Sequence, residues 1–228
     1  MITILLPVYN DEAYISECIR SIKIQTHKDF LCYIGFNGTT DRSKKIVNSL
    51  VSNDTRFKVF DYGNDKGKPK TLNKLLKEVN TEFICLIDGD DVWERNKLER
   101  QFKVRNDFSI IGTFTYYIDK NSKVTSHLSL PTKDNQIKYG LVKCNNYIVN
   151  SSVLLKTIDA REVNGWDEDL DFLEDYDMWI RLYKNGKTFF NIDEYLTKHR
   201  IHSESNFNSK PSNITPLELL IKNKIIKC

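Results

Sequence analysis

The chain has 228 residues, 40% of them hydrophobic, and sets 34 basic against 31 acidic side chains for a net charge of +3. A chain of this length buries roughly 70–75% of its unfolded surface, so one sizeable core is expected. The near balance of charge excludes a protein whose main work is coating nucleic acid, which needs a strong basic excess, and no nucleic-acid partner is expected.

The first half alternates strand and helix signals. Ile2–Leu6 is a short apolar run closed by Pro7, and Asn10 or Asp11 caps a helix carrying Ala13, Ile15, Cys18, Ile19 and Ile22. Phe30–Phe36 reads as a second strand ending in the turn Asn37-Gly38-Thr39-Thr40, followed by a helix through Ile46, Val47 and Leu50 and a strand at Phe57–Phe60. Pro69 sits in the first turn of a helix with Leu72, Leu75, Leu76 and Val79. Phe83-Ile84-Cys85-Leu86-Ile87 is apolar without alternation, as strands covered on both faces are. This βαβαβαβ order predicts an α/β fold with a single, mostly parallel sheet flanked by helices. A helix is expected at Trp93–Phe102, strands at Ser109–Ile118 and Tyr147–Leu155, a hairpin turn at Asp119–Ser122 and a loop at Pro131–Gln136. Glu174–Lys184 reads as a helix ended by Asn185-Gly186, Phe189–Ile192 and Leu196–Arg200 as short strands, and Thr215–Lys227 as an amphipathic terminal helix.

Five cysteines (Cys18, Cys32, Cys85, Cys144, Cys228), odd in number and widely spaced, argue against a disulfide framework or structural zinc and fit reduced thiols in the cytoplasm. The opening Met1–Pro7 lacks the basic start of a signal peptide, and no apolar run approaches the ~20 residues that span a bilayer. A cytoplasmic protein is expected, with peripheral contact to a membrane surface left open. The terminal helix is open to packing on its own domain, to pairing in an oligomer or to that surface.

Asp88-Gly89-Asp90-Asp91 follows the most apolar strand, where ligands of open α/β sheets collect. Hard cations that also take phosphate oxygens need closely spaced carboxylates, and Gly89 permits a tight backbone there. Asp90 and Asp91 are the expected metal ligands, with Asp88 toward a ribose or a metal-bound water; an acidic helix-capping turn is the plain alternative. Gly67-Lys68-Pro69-Lys70-Thr71 is not a phosphate loop, because its spacing from Gly63 is short and Pro69 stands where the hydroxyl belongs. Its lysines at a helix start could still attract phosphates. Glu174 and Asp175 open a helix, where a carboxylate caps or, facing the sheet edge, acts as a base.

In order, these segments resemble the family 2 glycosyltransferases of GT-A fold, over nearly the whole chain to about Asn206. Pro7-Val8-Tyr9-Asn10 matches the strand end beside the donor nucleotide, and Asn37–Ser43 matches the family's acidic-Gly-Ser-Thr-Asp turn. Gly67–Asn73 matches the segment over the donor, Asp88–Asp91 the DxD motif, Gly165–Glu168 through Glu174–Leu182 the acceptor side, and Arg200-Ile201-His202-Ser203 the closing Arg-x-His. The resemblance implies a Rossmann-like nucleotide-sugar-binding half (1–107), a smaller acceptor-binding half (108–208) and a C-terminal helical tail (209–228). It implies an inverting transfer of one sugar from a UDP, dTDP or GDP sugar to a carbohydrate, lipid-linked or protein-linked acceptor, with Mn²⁺ or Mg²⁺. Asp175, beside Glu174, is the implied base, and His202 an added metal or diphosphate contact. Pro7, Val8, Tyr9, Asn10, Asn37, Gly67, Lys70, Asn73, Asp88, Gly89 and Asp90 are the implied donor contacts. Asn37 stands where the family often has an aspartate, so the donor base stays open. The rival readings are a non-catalytic sugar- or nucleotide-binding module and a sugar nucleotidyltransferase; the latter normally carries glycines where this chain has Tyr9-Asn10-Asp11-Glu12.

Overall fold

Four strands, β1 (Ile2–Val8), β2 (Phe30–Phe36), β3 (Phe57–Asp61) and β4 (Phe83–Leu86), pair in parallel in the order β3-β2-β1-β4 in the computed structural model. It describes residues 1–170, 172–203 and 214–226. The helices α1 (Ile15–Lys23), α2 (Ser43–Val51) and α3 (Lys68–Glu78) connect these strands. The order turns at β1, which opens a crevice at the carboxyl ends of β1 and β4. Pro7 costs the sheet nothing on the β4 side, because β1 pairs with β4 only through Leu5.

Beyond β4 the sheet is mixed, so the expected parallel character belongs to its first half. After β5 (Val92–Trp93) and α4 (Lys97–Lys103) come β6 (Ile110–Ile118) and β7 (Val124–Leu128), joined by the expected hairpin turn. The elements α5 (Asp134–Leu141), β8 (Leu154–Lys156), α6 (Thr157–Glu162), α7 (Glu174–Lys184), β9 (Phe189–Arg200) and α8 (Pro216–Lys222) follow. β8 lies antiparallel between β4 and β6, β9 runs parallel to β6, and β5 pairs antiparallel with the end of β9.

Alternation along the strands divides the core into two layers. Ile2, Ile4, Leu6, Phe83 and Cys85 pack with Ile15, Ile19, Val47 and Leu98 of α1, α2 and α4. Leu5, Ile84 and Leu86 pack with residues of α3, α5, α7 and α8. The terminal helix is therefore spent on its own chain: Leu219 and Leu220 are buried, and Asn223 donates to Asp177 of α7 at 2.9 Å.

Four expectations change. The strand expected at Tyr147–Leu155 shrinks to β8, preceded by a 3-10 turn at Asn150–Ser152. Asn146 accepts from the Ile148 amide and Ser152 Oγ donates to the Val149 carbonyl, local bonds that compete with a ladder. The loop at Pro131–Gln136 runs into α5, and the two short late strands are one bent strand, β9. The helix expected from Trp93 starts only at Lys97. Cys228 and the polar stretch beyond Ser203, to Asn213, lie outside the described residues. Among those described, no helix is long and apolar enough to cross a membrane.

Candidate functional site

The turn after β4 sends its aspartates in different directions. Asp88 reaches the Lys68 ammonium at 2.7 Å and accepts weaker contacts from Asn150 and Ser151. Asp90 is half-buried and meets His202 Nε2 at 3.1 Å. Burial raises the Asp90 carboxyl, and the neighbouring Asp91 and Asp88 raise it further against the pull of His202.

Asp91 corrects an expectation. Its side chain is fully buried, faces His199 Nδ1 at 3.1 Å and accepts from the Arg200 amide at 2.9 Å. Burial disfavours charge on both partners, yet their attraction lowers the Asp91 carboxyl and lifts His199 to about 9. Asp91 thus anchors the end of β9 and presents no oxygen to the crevice. Arg200, also fully buried, finishes the clamp by donating to the Asp90 carbonyl at 2.8 Å and to Glu17 at 2.7 Å. Asp91→Ala should cost about 3–5 kcal/mol of stability by urea unfolding, since it removes the fully buried carboxylate that faces His199 and accepts from the Arg200 amide. Asp90→Ala should stay within about 1 kcal/mol of the parent, because it also removes carboxylate crowding.

Across the crevice, α7 begins after Leu173, whose left-handed backbone (φ 59°) turns the chain sharply into the helix. That turn brings Glu174 to 3.2 Å from the same Lys68 ammonium that holds Asp88. One cation therefore spans the strand-end aspartate and the start of α7. Burial opposes its charge, but Asp88, Glu174 and Asp175 together raise it well above the usual lysine range. Asp175 accepts from Asn146 Nδ2 at 3.0 Å and from the Tyr176 amide at 2.6 Å. Burial and the adjacent Glu174 carry its carboxyl up to about 7, against the opposing pull of Lys68.

The donor-side expectations divide. Asn10, held at φ 56°, accepts from the Thr40 amide at 2.8 Å and ties the end of β1 (Pro7, Val8, Tyr9) to the turn after β2. Asn37 donates to the Gly67 carbonyl at 3.0 Å and to Thr71 Oγ1 at 2.8 Å, which fixes its amide and leaves Oδ1 a buried acceptor with no partner among the described residues. Lys70 instead pairs with Asp65 at 2.9 Å on the exposed side of the loop. The Asn73 amide holds the Trp166 carbonyl at 2.8 Å and the Trp166 amide at 2.9 Å, tying α3 to the segment before α7.

Sequence reasoning assigns Asp11 only to capping and places Asn146 in the acceptor-binding half without a role of its own. Asp11 lies against Gly89 so closely that a Cβ there would come within 2.5 Å of its Oδ2. Burial raises the Asp11 carboxyl well above the usual range, and Asp90, Asp88 and Asp41 raise it further. The requirement for glycine between Asp88 and Asp90 was the available signal for this fourth carboxylate. Among the described residues, no three His, Cys, Asp or Glu side chains form a self-sufficient metal cage.

A model of the family described as Glycosyl transferase family 2 matches residues 3–158. An uncharacterized glycosyltransferase of Methanocaldococcus jannaschii is 28% identical over 216 residues, covering 92% of this chain and 74% of its own. S. aureus TarS 1–349 in complex with UDP-GlcNAc matches with a TM-score of 0.78 at 18% identity, over 98% of this chain and 65% of that one. A Pyrobaculum calidifontis mannosyltransferase in complex with GDP-Man and Mn²⁺ matches with a TM-score of 0.69 at 14% identity, over 90% of this chain and 58% of that one. The chain thus spans under two thirds of both solved chains, and the likeness to them establishes the shared GT-A fold.

Proposed function

The chain belongs to glycosyl transferase family 2, and from that premise we propose that it moves one sugar, with inversion, from a nucleoside-diphosphate sugar to an acceptor hydroxyl. The observation that carries this reading is the Lys68 bridge, with Asp88 at 2.7 Å on one side and Glu174 at 3.2 Å on the other. Glu174 adjoins Asp175, whose carboxyl is pushed up to about 7 by burial and by Glu174. A base should titrate near the working pH, and Asp175 meets that condition.

The residues at the crevice also suit a divalent ion. Burial raises the Asp11 and Asp90 carboxyls and the mutual crowding of Asp11, Asp88 and Asp90 raises them further, a crowding that a cation would relieve. Asp90 and His202 would hold Mn²⁺ or Mg²⁺, ions that commonly complete their coordination with phosphate oxygens and water. When bound, the ion supplies positive charge to the departing diphosphate. The ion in the Pyrobaculum calidifontis complex is in keeping with this assignment. Lys68 would place a further cation at the phosphates and Asp88 would face the ribose side. The Asn37 Oδ1 acceptor suits the ring N–H of uracil, thymine or guanine. Asp175 would take the proton of the acceptor hydroxyl while Asn146 steadies its carboxylate. The halves 1–107 and 108–208 would supply the donor and acceptor sides.

Asp175 works unprotonated, so the rate should rise with pH to a plateau above about 7 and fall about tenfold per unit below it. Glu174→Gln removes a like charge and should move this limb down, whereas Lys68→Met removes an opposing one and should move it up, each by on the order of one pH unit. Parallel pH–rate profiles check both signs. The function itself is tested by turnover of UDP-, GDP- and dTDP-sugars with Mn²⁺, with and without chelator. Consumption of one donor class, lost with chelator and restored by metal, is expected; no consumption of any donor at any metal concentration overturns the reading.

A further inference from the structure

An open depression of about 470 Å³ lies on α5 and the segment before it, lined by Pro131, Asn135, Gln136, Tyr139 and Tyr147. Its volume falls in the range of small-molecule pockets, about 300–1,000 Å³. We propose that it binds a neutral saccharide, the portion of the acceptor that flanks the hydroxyl receiving the sugar. This rests on the glycosyl-transfer reading above and names the acceptor chemistry that the reading leaves open.

The depression is built rather than incidental. Asn191, fully buried on β9, donates to the Pro131 carbonyl at 2.8 Å and to the Tyr147 carbonyl at 2.9 Å, so one amide holds two walls in register. The Tyr147 ring packs on the bare Cα of Gly140, where a Cβ would come within 2.1 Å of its Cε2. The position is fixed relative to the chemistry as well. Asn146, the residue before Tyr147, donates to Asp175 at 3.0 Å, so the wall of the depression is adjacent in the chain to the residue that holds the base.

The lining selects the ligand. Tyr139 is 64% exposed, a large aromatic surface open to solvent apart from the Lys143 ammonium over its ring. Aromatic rings offer an apolar face to the C–H side of a pyranose, and the Asn135 and Gln136 amides donate to and accept from its hydroxyls. None of the five lining residues carries a charge near neutral pH. The Lys138 ammonium is held by Asp134 at 2.8 Å, and Lys143 lies 5.9 Å from the Tyr139 centroid. This composition favours a neutral sugar over a phosphorylated or acidic one.

The test is an array of neutral and anionic oligosaccharides probed with the labelled full chain in the presence of Mn²⁺ and UDP, GDP or dTDP. Tyr139→Ala and Gln136→Ala, both at exposed positions, are probed alongside. Retention of neutral glycans is expected, with Tyr139→Ala weakening it about tenfold, the loss typical of truncating a central aromatic contact. The nucleotide-induced shift in melting temperature should be the same in both variants as in the parent. Retention of anionic glycans only, no retention while the nucleotide shift is present, or equal retention in all three proteins would overturn the proposal. Retention lost in the variants, in a protein that shows no nucleotide shift, would keep the saccharide site and sink the donor reading instead.

Discussion

Asp175→Asn should lower the rate of sugar transfer by about 10²–10⁴-fold, the contribution typical of a positioned general base. Affinity for the donor nucleotide should remain within about twofold, because no group is removed from the donor side of the crevice. The substitution keeps the shape of the side chain, and the amide oxygen can still accept from Asn146 Nδ2 or the Tyr176 amide. What is lost is the ability to take a proton near pH 7, where the carboxyl now titrates because of its burial and the adjacent Glu174. A merely helix-capping Asp175 predicts another pattern: a modest loss of stability and nearly unchanged turnover. Single-turnover rates beside nucleotide titrations separate the two.

Asp90→Ala should produce the complementary defect. Metal-dependent affinity for the nucleoside diphosphate should fall by about 10–100-fold, as is common when a metal's protein support is removed. The fold should persist, because among the described residues the Asp90 side chain bonds to His202 at the crevice, while neighbouring Asp91 carries the buried contacts to β9. Titration of nucleotide at fixed Mn²⁺, with the unfolding free energy measured on the same preparation, checks both halves. A large stability loss with unchanged nucleotide affinity would exchange the roles assigned to Asp90 and Asp91.

Much of this arrangement was legible in the sequence because it rests on local signals. The apolar run Phe83–Ile87 marked β4, Pro69 marked the start of α3, and Glu174–Lys184 was read with the bounds that α7 has. The family resemblance implied that Asp88, Asp90, Asp175 and His202 share one site; in the structure Lys68 joins Asp88 to Glu174, the neighbour of Asp175, and Asp90 meets His202. Orientation was not legible. Asp90 and Asp91 are adjacent and chemically identical, and only the arrival of β9, more than a hundred residues later, turns Asp91 inward onto His199 and Arg200. Asn73 was assigned to the donor by its motif, yet its partners lie in Trp166, a contact that no local pattern encodes. The helix α5 was missed because Pro131, Asn135 and Gln136 read as a polar loop, and with it went Tyr139 and the depression it lines. Other aromatics are largely structural: Trp166 and Trp179 are buried, and Tyr116 stacks on Tyr195 at 4.7 Å.

The central claim is that one crevice holds a metal–nucleotide end at Asp90 and a separate proton-accepting end at Asp175. Calorimetric titration of UDP, GDP and dTDP, with and without Mn²⁺, into the parent, Asp90→Ala and Asp175→Asn tests it most directly. The account predicts that one nucleotide binds the parent and Asp175→Asn alike, only with metal, and fails to bind Asp90→Ala at the same concentrations. Binding that is indifferent to metal, or lost equally in both variants, would contradict it.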